Sequence, residues 1–173
     1  MIDENERDSV QRQNYFNQIL RCRDELIRSI LSSIESPSVS RDIKPSLFTC
    51  LSCFFWVVSD FCIACIPTCL QASIEASMYI IDSYDEETIE WINKLYSSII
   101  DLWDSLSAAA SRNPQVITNA VPSILNFVNR IVNLEYICDQ VIKNCVLMLR
   151  DLGFQLRSVI AKQVRKSDVL YNE

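Results

Sequence analysis

Apolar residues recur along this chain at steps of three and four, the spacing that gathers side chains on one face of an α-helix. Phe16, Ile19, Leu20, Leu26, Ile27, Ile30, Leu31 and Ile34 predict a helix from Tyr15 to Ile34, with Arg21, Arg23, Asp24 and Glu25 on its wet side. Ser36-Pro37-Ser38 breaks the pattern. Asp42, just ahead of Ile43-Lys44-Pro45, reads as an N-cap followed by a first-turn proline, so a second helix is expected from about residue 43. Leu47, Phe48, Cys50, Leu51, Phe54, Phe55, Val57 and Val58 leave that helix almost no polar face, as suits one walled in by neighbours, and Ser59-Asp60 ends it.

A third helix is expected from about Phe61 through Ile63, Ile66, Leu70 and Ile74, with Pro67 either bending it or marking a late start. After a loop at Asp82-Ser83-Tyr84-Asp85, the positions Ile89, Ile92, Leu95, Tyr96, Ile99, Leu102, Trp103 and Leu106 give the clearest amphipathic helix, over about 86–110. Asp85, Glu86 and Glu87 at its start suit the helix dipole. Beyond Asn113-Pro114, Val121, Ile124, Leu125, Val128 and Ile131 predict a helix from Val116 to Val132, with Pro122 tolerable near its start. Ile137, Val141, Cys145, Met148, Leu149 and Leu152 predict the next, Gly153 is placed to help end it, and Val159, Ile160 and Val164 open a last one.

Helix after helix with short turns is an all-α chain. The spacing from Pro45 through the Glu87 region to Ile137 fits the roughly 40–47-residue period of HEAT-type helix hairpins. The expected architecture is therefore a HEAT-repeat-like α-solenoid of stacked antiparallel helix pairs. It divides into a polar N-terminal arm at 1–14 and about three to four helix pairs over 15–173. An unrelated compact bundle offering a groove to an amphipathic helix is the alternative arrangement.

Composition narrows the chemistry. One glycine in 173 residues leaves little for the tight turns of sheets and phosphate loops, and the absence of histidine removes the commonest general base and metal ligand. A non-catalytic protein without a cofactor is expected. The net charge of −6 argues against nucleic acid and points to basic partners. The acidic N-terminus, Met1-Ile2-Asp3-Glu4-Asn5-Glu6-Arg7, reads as neither signal peptide nor presequence. Ser59 and Asp60 split the apolar run from Leu47 to Leu70 into halves too short to span a membrane.

The pairs Cys50/Cys53 and Cys62/Cys65, with Cys69 beyond, supply enough thiols for a Cys₄ zinc site, but they lie in apolar helical sequence where i and i+3 simply share a face. Buried reduced thiols are the expectation, and a cysteine-based zinc protein the alternative. Between residues 75 and 104 the carboxylates Glu75, Asp82, Asp85, Glu86, Glu87, Glu90, Asp101 and Asp104 face a single cation, Lys94. They form the candidate contact for a basic partner, against the plainer reading of a solvated helix start. Trp91, one residue off the apolar stripe beside Glu87 and Glu90, joins them as a possible platform for Arg or Lys, with core packing as its alternative.

Several segments, in order, carry a family likeness. Asp42-Ile43-Lys44-Pro45-Ser46-Leu47-Phe48 with Ser52-Cys53-Phe54-Phe55 resembles the start of a late HEAT repeat of the importin-β family. Arg23-Asp24-Glu25-Leu26-Ile27, Leu70-Gln71-Ala72-Ser73, Glu90-Trp91-Ile92-Asn93-Lys94-Leu95, Pro122-Ser123-Ile124-Leu125-Asn126-Phe127-Val128 and Leu149-Arg150-Asp151-Leu152-Gly153 are similar to successive family helices. The resemblance covers about 15–160, with Cys53 a departure where the family's repeat helix carries aspartate. It implies the C-terminal HEAT region of a nuclear import receptor in the cytoplasm, the nucleus and the nuclear pore. The partners it implies are the basic N-terminal segment of importin-α on acidic residues, nucleoporin Phe-Gly repeats between helices, and Ran through the rest of the receptor.

Overall fold

A computed structural model describes the backbone of residues 4–170 and the side chains of 11–58 and 61–157. Seven α-helices follow one another: α1 (Glu4–Glu35), α2 (Lys44–Val58), α3 (Ile66–Ser77), α4 (Glu86–Ala109), α5 (Gln115–Thr118), α6 (Val121–Ile131) and α7 (Asp139–Leu170). No strand occurs among the described residues.

The helices make two layers. α4 packs against α2 on one flank and α7 on the other, while α1, α3, α5 and α6 line the second side. Polar pins fix the parallel register of the first layer. The Ser52 hydroxyl of α2 donates to the Asp101 carbonyl of α4 at 3.0 Å. On the α7 side, the Asn93 amide donates to the Tyr136 carbonyl at 2.9 Å and accepts from the Cys138 N–H at 2.8 Å. Farther along, Asn144 donates to Ser97 at 3.3 Å. Lys44, Glu86 and Asp139 open the three layer helices 42 and 53 residues apart. The second interval is longer because α4 is longer than α2 and α5 is added before α6.

α4 owes its place to an apolar face wide enough to touch every neighbour. Ile92, Leu95, Tyr96, Ile99, Leu102, Trp103 and Leu106 are all buried. Trp103 and Tyr96 both meet Phe127 of α6 edge-on, at centroid distances of 5.1 and 5.0 Å. A buried indole needs a partner for its N–H. Here Trp103 donates to the Ser73 hydroxyl of α3 at 2.8 Å, and that hydroxyl donates onward to the Leu70 carbonyl. The Tyr96 hydroxyl donates to the Tyr79 carbonyl at 2.9 Å, tying α4 to the end of α3.

Several local expectations change. The first helix begins at Glu4, so the stretch read as an arm continues into α1. The cap before α2 is Ser40, whose side chain accepts from the Asp42 N–H at 3.3 Å, and a 3₁₀ turn over Arg41–Ile43 precedes the helix. Asp42 is inside that turn because its own N–H is the capped donor. Pro67 marks a late start: a 3₁₀ segment spans Ser59–Cys65, and Cys62, at φ −120 and ψ 19, breaks it before α3. The expected Val116–Val132 helix is two, because Pro122 lacks an N–H and falls in the first turn of α6 after a break at Asn119 and Ala120. Gly153 ends nothing. It lies inside α7, where Leu152 and partly buried Leu156 prolong the apolar stripe. The side chains of Val159, Ile160 and Val164 lie outside the described residues.

A Cβ at Gly153 would meet open space. Gly153→Ala should therefore stabilise the fold by about 0.5–1 kcal/mol, raising Tm by about 1–4 °C in a calorimetric scan. Ser73→Ala leaves the buried Trp103 N–H without its acceptor and should cost about 1–3 kcal/mol in urea unfolding.

Candidate partner-binding surfaces

The candidate acids all sit on α3, α4 or the segment between them, and the helix geometry spreads them. Glu75, in the last turn of α3, accepts from the Gln71 amide at 2.6 Å. Asp82 is exposed in the connection. Asp85 is the α4 N-cap, accepting from the Thr88 N–H at 2.8 Å and the Thr88 hydroxyl at 3.1 Å. The Ser83 hydroxyl donates to it as well, and these hydrogen bonds, Ser83's first, hold its pKa down at about 2. Glu86 and Glu87 follow in the first turn, and Glu87 lies 4.0 Å from the Arg41 guanidinium. Glu90 pairs with Lys94 at 2.6 Å, which lowers its pKa.

Asp101 and Asp104 belong elsewhere. At 1.5 Å per residue, Asp104 is about 25 Å along α4 from Glu87. Glu90, Lys94, Ser97, Asp101 and Asp104 follow one another at steps of four and three, making the polar stripe α4 shows between α2 and α7. Asp101 lines a hydroxyl-rich crevice with Ser46 and Thr49 of α2, and desolvation there raises its pKa. Asp104 is raised first by desolvation, then by the charges of Asp151 and Asp101, with Arg150 opposing. Asp151, on α7, was not among the candidate acids, because only the α4·α7 packing brings it to Asp104.

Trp91 is buried, at 6 % exposure. Its indole donates to the Arg41 carbonyl at 2.8 Å, and the Arg41 guanidinium lies 5.4 Å from the ring centroid. The cation over this ring is therefore the chain's own. Tyr79 meets the ring edge-on at 4.9 Å. Beside it opens a cleft of about 390 Å³, lined by Ile34, Arg41, Lys44, Glu75, Tyr79 and Trp91 among others. Its base is largely apolar and its rim carries both signs of charge.

A second cation held against aromatic rings, half-buried, could not be foreseen from the sequence. Arg130 of α6 donates from Nη2 to the Ser77 carbonyl and lies 6.0 Å from the Tyr96 ring and 5.7 Å from the Phe127 ring. Its Nε is buried without a hydrogen-bond partner. Nearby, Tyr84 and Tyr136 meet edge-on at 5.6 Å on the same side as the α3–α4 connection.

The thiols divide. Cys22, Cys50, Cys53 and Cys138 are exposed, Cys65 is half-buried, and Cys62, Cys69 and Cys145 are buried. Burial pushes Cys62 up to about 11 and Cys69 and Cys145 up to about 12, so these sulfurs carry a proton at neutral pH, unlike a thiolate nucleophile or ligand. Among the described residues no group of three or more His, Cys, Asp or Glu is placed to hold a metal ion. No helix of the described residues is long and apolar enough to cross a membrane.

Parallel helices in one layer with their partners in the other define an α-solenoid. A family model described as importin subunit beta-1-like, TPR repeats, matches residues 15–172, and the chain belongs to that family. The fold is also similar to a chain in the solved structure of Kap95p binding that induces the switch loops of RanGDP to adopt the GTP-bound conformation. The TM-score is 0.72 at 14 % identity over 80 % of this chain. The present chain spans 16 % of that one's length. No curated protein matches the sequence.

The raised carboxyls give a signed pH prediction. An acid whose pKa is higher folded than unfolded favours folding while protonated, and that contribution is lost as pH rises through the folded value. The charge on Asp104 therefore opposes folding at neutral pH. Asp104→Asn should raise Tm at about pH 7 and leave it unchanged near pH 3, where both states are protonated. Asp85, held low, works in the opposite sense: its contribution is present above the unfolded value and is lost as pH falls toward 2. Asp85→Ala should lower Tm at neutral pH, and Asp85→Asn, which keeps a capping oxygen, should lower it less.

Proposed function

We propose that this chain is a HEAT-type segment of a nuclear transport receptor that works by binding rather than catalysis, moving protein cargo between cytoplasm and nucleus through the nuclear pore. Family membership over residues 15–172 carries the reading. Its adaptor contact is the basic N-terminal segment of importin-α, drawn to the carboxylate-rich edge at the α3–α4 connection. The surplus of acids there over Lys94 and Arg41 supports this assignment, since a negative edge steers a cationic chain over several ångströms and loses that pull in salt.

Within the edge, Glu75, Asp82, Glu86 and Glu87 carry the contact. Asp85 is committed to capping α4 and Glu90 to Lys94, so both contribute charge more than direct pairing. Asp101 and Asp104, on the far half of α4 with Asp151, serve a separate stretch of the same cationic partner. Trp91 acts from beneath, fixing Arg41 at the rim. The apolar cleft beside Trp91 is of a size to take the phenyl ring of a nucleoporin Phe-Gly repeat. Ran contacts this receptor through other repeats; that Kap95p acts on the switch loops of RanGDP supports including it.

A labelled importin-α basic peptide, titrated in fluorescence anisotropy, tests the assignment. Binding should weaken steeply with salt and fall by about tenfold when Glu75, Asp82, Glu86 and Glu87 are changed to Gln or Asn together. Affinity unchanged in that variant, or insensitive to salt, would contradict it.

A further inference from the structure

Three serines in the chain have a carboxylate three residues downstream: Ser32 before Glu35, Ser83 before Glu86, and Ser98 before Asp101. An acid-directed protein kinase recognises that spacing with a basic substrate groove, and it needs the acceptor segment extended and its hydroxyl exposed. The fold separates the three. Ser32 is inside α1, where its carbonyl accepts the Ser36 N–H at 3.1 Å. Ser98 is buried in α4 and spends its hydroxyl on the Leu95 carbonyl at 2.9 Å. Ser83 alone lies outside a helix, exposed in a stretch from Tyr79 to Asp85 that contains no helical turn. Its neighbour Tyr84 is 71 % exposed, and Asp85 has extended backbone angles of φ −71 and ψ 156. Asp82 precedes it, and Asp85, Glu86 and Glu87 stand two, three and four positions after it.

We propose that Ser83 is a phosphorylation site for an acid-directed Ser/Thr kinase. In the transfer the Ser83 Oγ attacks the γ-phosphorus of Mg-ATP. The new Oγ–P bond forms as the bond to the bridging oxygen breaks, ADP leaves with the electron pair, and the hydroxyl proton passes to the kinase's catalytic carboxylate. The product carries about 1.5 to 2 additional negative charges at neutral pH. It also loses the hydroxyl that donates to Asp85, while the Thr88 N–H continues to bond Asp85. The new charge lands two residues before the cap of a 24-residue helix, at the positive end of its dipole. The α3–α4 edge thus becomes more negative without dismantling the start of α4.

The test is incubation of the intact chain with a casein-kinase-2-type enzyme and Mg-ATP, read by intact mass and peptide mapping. One phosphate on Ser83 is expected. It should be absent from Ser83→Ala, retained in Ser32→Ala, and incorporated about tenfold more slowly in Glu86→Gln, a change that leaves the Asp85 cap in place. Incorporation that persists in Ser83→Ala would overturn the assignment. So would an intact chain left unmodified, whether or not a synthetic peptide of residues 78–91 accepts phosphate.

Discussion

The indole of Trp103 is the constraint on which the arrangement turns. It is among the largest side chains sealed in the core, and a buried indole without an acceptor is costly, so Ser73 must stand where it stands. That single bond fixes α3 against α4. Phe127, wedged edge-on between Trp103 and Tyr96, fixes α6 against the same helix. α2 and α7 then occupy the flanks that remain, registered by Ser52 on one side and by Asn93 and Asn144 on the other. A helix that touches so many neighbours has only a narrow stripe left for solvent, and that stripe holds Lys94, Asp101 and Asp104.

The same packing decides where recognition occurs. With the middle of the stack closed, charge and aromatic surface collect at the connection between α3 and α4 and at the turn before α7. Two arginines there are spoken for: Arg41 lies over Trp91, and Arg130 is held by the Ser77 carbonyl and two aromatic faces. Glu75, Asp82, Asp85, Glu86, Glu87 and Glu90 outnumber Lys94 and Arg41 at this edge, which is how a chain with a net charge of only −6 presents a negative edge. The raised carboxyls of Asp101 and Asp104 mark a second, tighter concentration, where α2 and α7 crowd solvent away from α4.

Much of this was legible in the order of residues. α4 was, because its apolar stripe is long and Asp85 caps it with acids following. The family likeness rested on short segments in the right order, and the match over residues 15–172 agrees with it. What escaped was decided by contacts distant in sequence or by local competition. Gly153 looked like a terminator because glycine favours the left-handed turn after a helix, yet the stripe through Leu152 and Leu156 carries α7 past it. Core packing, one of the two readings of Trp91, is what the fold shows, but the cation over its ring was not legible because Arg41 comes from fifty residues away. Grouping Asp101 and Asp104 with Glu87 ignored the length of helix between them. Asp42 lost its capping role to Ser40 because a 3₁₀ turn, rather than the α-helix itself, opens the segment.

Native-state hydrogen exchange across the whole chain tests most directly whether α4 is the shared wall of the stack. Amides between Ile92 and Leu106 should be the slowest to exchange, opening only with global unfolding, while Tyr79–Asp85 and the first turns of α1 exchange fastest. Slower exchange in α1 or in the far half of α7 than in α4 would mean that the stack is held elsewhere.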